Sequence, residues 1–148
     1  MKTIYRIILA LSVLLASVAC GEKNEGPAVS EKIVAEWHLI SVSGMTSAPQ
    51  VYVDFSQDLS FELYQKIGEG AFRLYRGSWN IDGDVLAGKY NDGEEWGTRY
   101  QISIDGKTLT MKYSIHDSEV TSVYTSVVIP SEVKIGCEVV VKSEGAGF

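Results

Sequence analysis

At 148 residues, 45% of them hydrophobic, the chain holds enough apolar material for one domain with a substantial core and too little length for two. Its 19 acidic residues outnumber the 13 basic ones, and the formal charge of −6 excludes nucleic acid as a partner and a basic face for anionic lipid. Two cysteines exclude a disulfide-stapled scaffold.

The first 19 residues carry Lys2 and Arg6 and no acid, and the apolar run that follows, residues 7–19, is too short and too abruptly ended to span a bilayer. It reads as a secretory signal peptide. Val18-Ala19-Cys20 then places small residues directly before a cysteine, which resembles the lipobox of bacterial lipoprotein precursors. That resemblance implies lipidation of Cys20 and attachment to the membrane through its acyl chains. Ser17 stands where the pattern usually has Leu, so ordinary cleavage near Ala19 and a retained anchor are the alternatives. Loss of the signal removes two of the 13 basic residues and none of the 19 acidic ones, for a formal charge of −8. Cys137 would be the one remaining thiol, read as a small hydrophobe in a late strand rather than a reactive group. Residues 21–30 are small, charged and Pro-containing without apolar periodicity, as in a tether.

From residue 31 the pattern changes. Ser30 to Ala35 can form one short helical turn. Residues 36–43 open the first strand, with Trp37 and Leu39 on one pleat face and His38, Ile40 and Val42 on the other. A loop over 44–49 follows. Residues 51–55 and 61–67 alternate on either side of Gln57-Asp58. The stretch 70–81 puts Tyr75, Gly77, Trp79 and Ile81 on one face, and Asp82-Gly83 turns it tightly into residues 85–90. Trp96, Thr98, Tyr100, Ile102 and Ile104 recur at strict i, i+2 spacing, as do Leu109, Met111, Tyr113 and Ile115 after Asp105-Gly106. His116-Asp117-Ser118 turns into a β-branched strand over 120–129, ended by Pro130.

These runs make eight strands on short turns, with no long helix. Short connections force antiparallel neighbours, and closure removes both sheet edges. The expected fold is therefore all-β, an antiparallel up-and-down eight-stranded β-barrel; a Greek-key sandwich, which needs longer crossovers, is the alternative. Residues 138–141 either add a short ninth strand across a barrel seam or form a frayed terminus. The domain organisation reads as signal peptide 1–19, lipidated Cys20 and tether 20–30, barrel 31–130 and C-terminal extension 131–148.

Trp37 in the first strand, V-Y-V-D-F-S-Q-D-L-S-F-E-L-Y over 51–64, G-S-W-N-I-D-G-D-V-L over 77–86 and I-D-G-K-T-L-T-M over 104–111 together resemble the lipocalin-like lipoproteins of Gram-negative bacteria. The likeness spans residues 31–130 and rests on turn and core patterns, so it implies a fold more than a function. Ala35-Glu36-Trp37 replaces the Gly-x-Trp that opens true lipocalins.

Trp37, Phe61, Leu63, Tyr75, Trp79, Tyr90, Trp96, Tyr100, Met111, Tyr113 and Tyr124 each fall on the apolar face of their strand and are the candidate interior. Buried Tyr and Trp need partners for their polar atoms, so this set can line an amphipathic cavity for a small, mostly apolar ligand or fill a solid core. His38 and His116 lack partners at ligand spacing, and the Asp-Gly runs lack the remaining ligands of a calcium loop, so neither metal nor cofactor is expected. Asp54 and Glu62 can meet across a hairpin, but two carboxylates define no reaction, and no nucleophile elbow or phosphate loop is present. The sequence thus points to an exported outer-membrane lipoprotein, periplasmic or surface-facing and not an enzyme, that binds a small hydrophobic or amphipathic molecule. The alternative is an interaction or assembly module with a solid barrel.

Overall fold

The computed structural model describes residues 28–141 and 143–147; the expected signal segment, Cys20 and most of the expected tether lie outside the described residues. Period-2 alternation becomes eight strands, β1 (Ala35–Val42), β2 (Gln50–Phe55), β3 (Ser60–Lys66), β4 (Arg73–Asp82), β5 (Val85–Tyr90), β6 (Tyr100–Asp105), β7 (Thr108–Ile115) and β8 (Ser118–Ser126). Each pairs antiparallel with the next, and β8 returns to β1, with Leu39 opposite Tyr124, so the sheet is a closed barrel. The tight turns match their residues: Gly83 and Gly106 take φ of 63° and 55°, where a side chain would be strained.

Three details depart from simple alternation. A bulge between Leu39 and Ser41 shifts the β1 register against β8, so Val42 packs against the core instead of sharing a face with His38. Residues 91–99 form a loop, and Trp96 enters the core from it rather than from a strand. Strand β8 ends at Ser126, and Ile129 is buried in a second cluster outside the barrel. The β5–β6 seam is consequently short, with only Val85 opposite Gln101 and Leu86 opposite Tyr100. Beyond it the loop lies along β5, held by Tyr90 N–H to Glu94 O at 2.8 Å and Trp96 N–H to Gly88 O at 2.9 Å.

The C-terminal extension is built onto the wall. After α2 (Ser131–Ile135), β9 (Glu138–Val139) pairs parallel with Arg73 and Leu74, on the edge of β4 that β5 leaves open before Gly77. Parallel pairing follows because α2 carries the chain back to the end at which β4 begins. Val133 and Ile129 cover the outward side chains of Tyr64 and Leu74. Glu36 fastens this return, accepting from the Ile129 N–H at 2.8 Å and pairing with Lys134. Across the same outer face Glu36 lies opposite Asp54, Asp54 opposite Glu62 and Glu62 opposite Arg76. Burial raises the Glu62 pKa, but hydrogen bonds from Tyr64 and Arg76 outweigh it and hold the carboxyl below its ordinary range. His38 also faces outward, stacked on Tyr52 with ring centroids 4.3 Å apart.

Candidate functional site

Antiparallel order gives the barrel two unlike ends. At one, α1 (Val29–Lys32) precedes β1, and its following residue Ile33 is buried in the core. Trp37 donates its indole N–H to Ile33 O at 2.8 Å, and Trp79 donates to Ser60 O at 3.0 Å while meeting Phe55 edge to face. Both large rings thereby bury their surface without orphaning the N–H, and they close this end. Above them Leu39, Val53, Leu63, Leu86, Leu109 and Met111 are each at most 2% exposed. These side chains belong to one packed cluster closed off from solvent. The lower interior is solid.

The opposite end gathers the ends of β5 and β7, the start of β6 and the 91–99 loop. Two glycines shape it. A Cβ on Gly88 would sit 2.3 Å from Cε2 of Trp96, so the missing side chain is the space into which the loop inserts its indole. A Cβ on Gly77 would sit 2.7 Å from Cε1 of Phe61, whose ring then meets Trp96 and Tyr90 at 5.2 and 5.7 Å. From Trp96 the aromatic contacts continue to Tyr100 at 6.1 Å and from Tyr100 to Tyr113 at 5.3 Å, each pair crossing near a right angle.

Over this layer lies a cleft of about 490 Å³. Tyr90, Trp96, Tyr100 and Tyr113 form its aromatic wall, Thr98, Ser114 and His116 add polar atoms, and Ala146 and Gly147 of the tail form the far side. The β7–β8 turn places His116 and Asp117 at φ of 45° and 64°, setting His116 on the rim. The tail is tied down where Ser143 donates its backbone N–H to Asp92 at 2.6 Å. That contact and the Glu94 N–H hold the Asp92 carboxyl below its ordinary range.

Tyrosines cluster at the mouth and beneath it. Burial, with Tyr75 and Asp92 nearby, pushes Tyr90 up to about 12. Burial also raises Tyr100, with Tyr113 and Tyr90 adding to it, and Tyr124, with Tyr100 and Tyr113 adding to it. Phenols with raised folded pKa values contribute stability that is complete below the unfolded value near 10 and is lost as pH rises through the folded values. The barrel should therefore keep its denaturation midpoint from neutral pH to about pH 10 and lose it steeply above, read by chemical denaturation together with phenolate absorbance. A midpoint unchanged well above pH 10 would mean these phenols are solvated.

The hydroxyls of Tyr75 and Tyr124 are buried without a protein hydrogen-bond partner. An unpaired buried hydroxyl costs more than its removal, so Tyr124→Phe should stabilise the fold by about 1 kcal/mol in urea denaturation. A loss of similar size would show that the hydroxyl is satisfied.

All eleven candidate interior residues lie in one core cluster, with Tyr113 only partly buried. Only Tyr90, Trp96, Tyr100 and Tyr113 reach the cleft. Trp37 and Trp79 close the other end, Phe61 and Tyr75 underlie the mouth, and Leu63, Met111 and Tyr124 are completely buried. Sequence reasoning missed Thr98, Ser114 and Ile115 as lining, left His116 as a turn residue, and could not place Ala146 and Gly147, which carry no periodic signal. A larger cleft of about 680 Å³ lies outside the barrel along β4, β5 and the loop, lined by Ser78, Asn80, Asp82, Lys89, Glu95 and Arg99 among others, and it shares Trp96 with the mouth. Its mixed charges are those of a solvated face, whereas the mouth combines apolar walls with convergent polar atoms, as small-molecule sites do. Among the described residues no group of three or more His, Cys, Asp or Glu could hold a metal ion.

No family model and no curated protein matches the chain. Solved structures do. An uncharacterized protein from Bacteroides eggerthii is 13% identical, with a TM-score of 0.51 over 64% of this chain and 98% of its own. The REP1-NXSQ fatty acid transporter is 12% identical, with a TM-score of 0.41 over 68% of this chain and 99% of its own. The first likeness is one of fold.

Proposed function

We propose that the protein is a non-enzymatic binding protein of the cell envelope, attached to the outer membrane by lipid at Cys20, that holds a small amphipathic molecule in the barrel mouth. The observation that carries the reading is the cleft of about 490 Å³, whose wall is four aromatic rings and whose floor is solid. A solid floor limits the ligand to the mouth, so part of it stays in water while the rest lies against Tyr100 and Tyr113. The signal-like segment and Val18-Ala19-Cys20 support export and anchoring.

Calorimetric titration against a panel of alkylammonium ions, fatty acids, sterols and planar aromatics tests the reading. At least one class should bind saturably, and Tyr113→Ala should weaken that binding about tenfold, because one aromatic contact contributes roughly that factor. Lys89→Ala, in the outer cleft, should leave it unchanged. No saturable binding by any class would favour the second reading, an assembly module, for which the filled lower interior is the supporting observation.

A further inference from the structure

We propose that the mouth selects a small organic cation, an alkylammonium group, over a carboxylate or an uncharged head of the same shape. This inference rests on the mouth being the binding site. A charged head taken out of water needs opposite charge or oriented donors around it. A carboxylate would need N–H donors with positive charge, and among the described residues lining the cleft there is no Lys or Arg. Arg99 and Lys112 line clefts on the outer wall, and the Arg73 guanidinium lies by Gly145 of the tail. Among the described lining residues His116 is the one nitrogen base, and it stands exposed on the turn.

A cation meets the opposite situation. The faces of Trp and Tyr rings are electron-rich and attract a cation within about 6 Å of the centroid. Trp96, Tyr100 and Tyr113 meet in succession at 70° and 75°, so the wall turns two near-right-angled corners. Neutral tyrosine oxygens beside these faces carry partial negative charge toward a cation. The carboxylate of Asp92 lies near enough to Tyr90 to oppose its ionisation, and the whole chain carries a formal charge of −6. Among the described residues the Asp92 carboxylate, the ring faces and the oxygen lone pairs have the same sign.

Three probes of one shape isolate the charge: choline, its uncharged isostere with carbon in place of the ammonium nitrogen, and the carboxylate of the same branched skeleton. Each is titrated into the folded chain by calorimetry, with the Trp96 indole and Ala146 methyl signals followed together by NMR, since Trp96 borders the outer cleft as well as the mouth. Choline should bind saturably and at least about tenfold more tightly than the isostere, with the carboxylate weakest. Tyr113→Leu, which keeps the apolar wall and removes the ring, should cost choline about tenfold and leave the isostere unchanged. Isostere or carboxylate binding at Trp96 as tightly as choline would overturn the charge selection and leave the mouth as the binding site. Absence of a saturable Trp96 shift with all three would also overturn it, while the wider ligand panel decides the mouth separately.

Discussion

Trp79→Ala should destabilise the barrel by about 3 to 5 kcal/mol, a large part of the stability of a domain this size. The ring is 3% exposed, packs edge to face on Phe55 and donates to Ser60 O, so truncation opens a cavity and removes a partly buried hydrogen bond together. Neither loss relaxes easily, because Trp79 closes an end whose other large ring, Trp37, is held by its own bond to Ile33 O. Equilibrium urea denaturation measures the effect. A change within about 0.5 kcal/mol would place the ring on the surface and contradict the closed end.

The second large effect is at Gly77. Alanine there would bring its Cβ to 2.0 Å from the Lys89 carbonyl oxygen, a backbone atom of the paired strand, and 2.7 Å from Phe61. A flexible side chain can swing away, but a sheet carbonyl moves only if the β4–β5 pairing opens. Gly77→Ala should therefore cost at least about 3 kcal/mol, the upper part of the overpacking range. Gly88→Ala makes the useful comparison, since the atoms it meets belong to the Trp96 side chain. It should cost less and appear as a changed Trp96 emission, with the indole pushed toward the mouth. Equal destabilisation by the two substitutions would mean that Trp96 is as immobile as the sheet.

Much of the barrel was legible because a half-buried strand repeats every two residues, and Tyr75, Gly77 and Trp79 keep that repeat through the whole of β4. Asp82-Gly83 and Asp105-Gly106 marked their hairpins by the same chemistry that shapes them. Alternation misled at Trp96. Its i, i+2 spacing to Tyr100 continues the β6 pattern, yet the loop is captured by β5, because Gly88 leaves room for an indole there. A glycine inside a strand was the available signal for that close approach. The bulge at Ile40 follows from packing against β8, which no local pattern of β1 expresses. The division into a solid floor and an open mouth was not legible either. It depends on which rings fill the space beside small residues, and on Ala146 and Gly147 arriving from a tail with no periodicity.

This closed barrel is filled below, and we propose that it works at its aromatic mouth. The most direct measurement is side-chain and amide NMR of the folded chain during titration with whichever amphipathic probe binds most tightly. Shifts confined to Tyr90, Trp96, Tyr100, Tyr113 and Ala146, with Leu63, Leu86, Leu109 and Met111 unmoved, are the predicted result. Large shifts among those four buried side chains would reveal a ligand in the interior. Shifts on the outer faces alone would remove the mouth as the site.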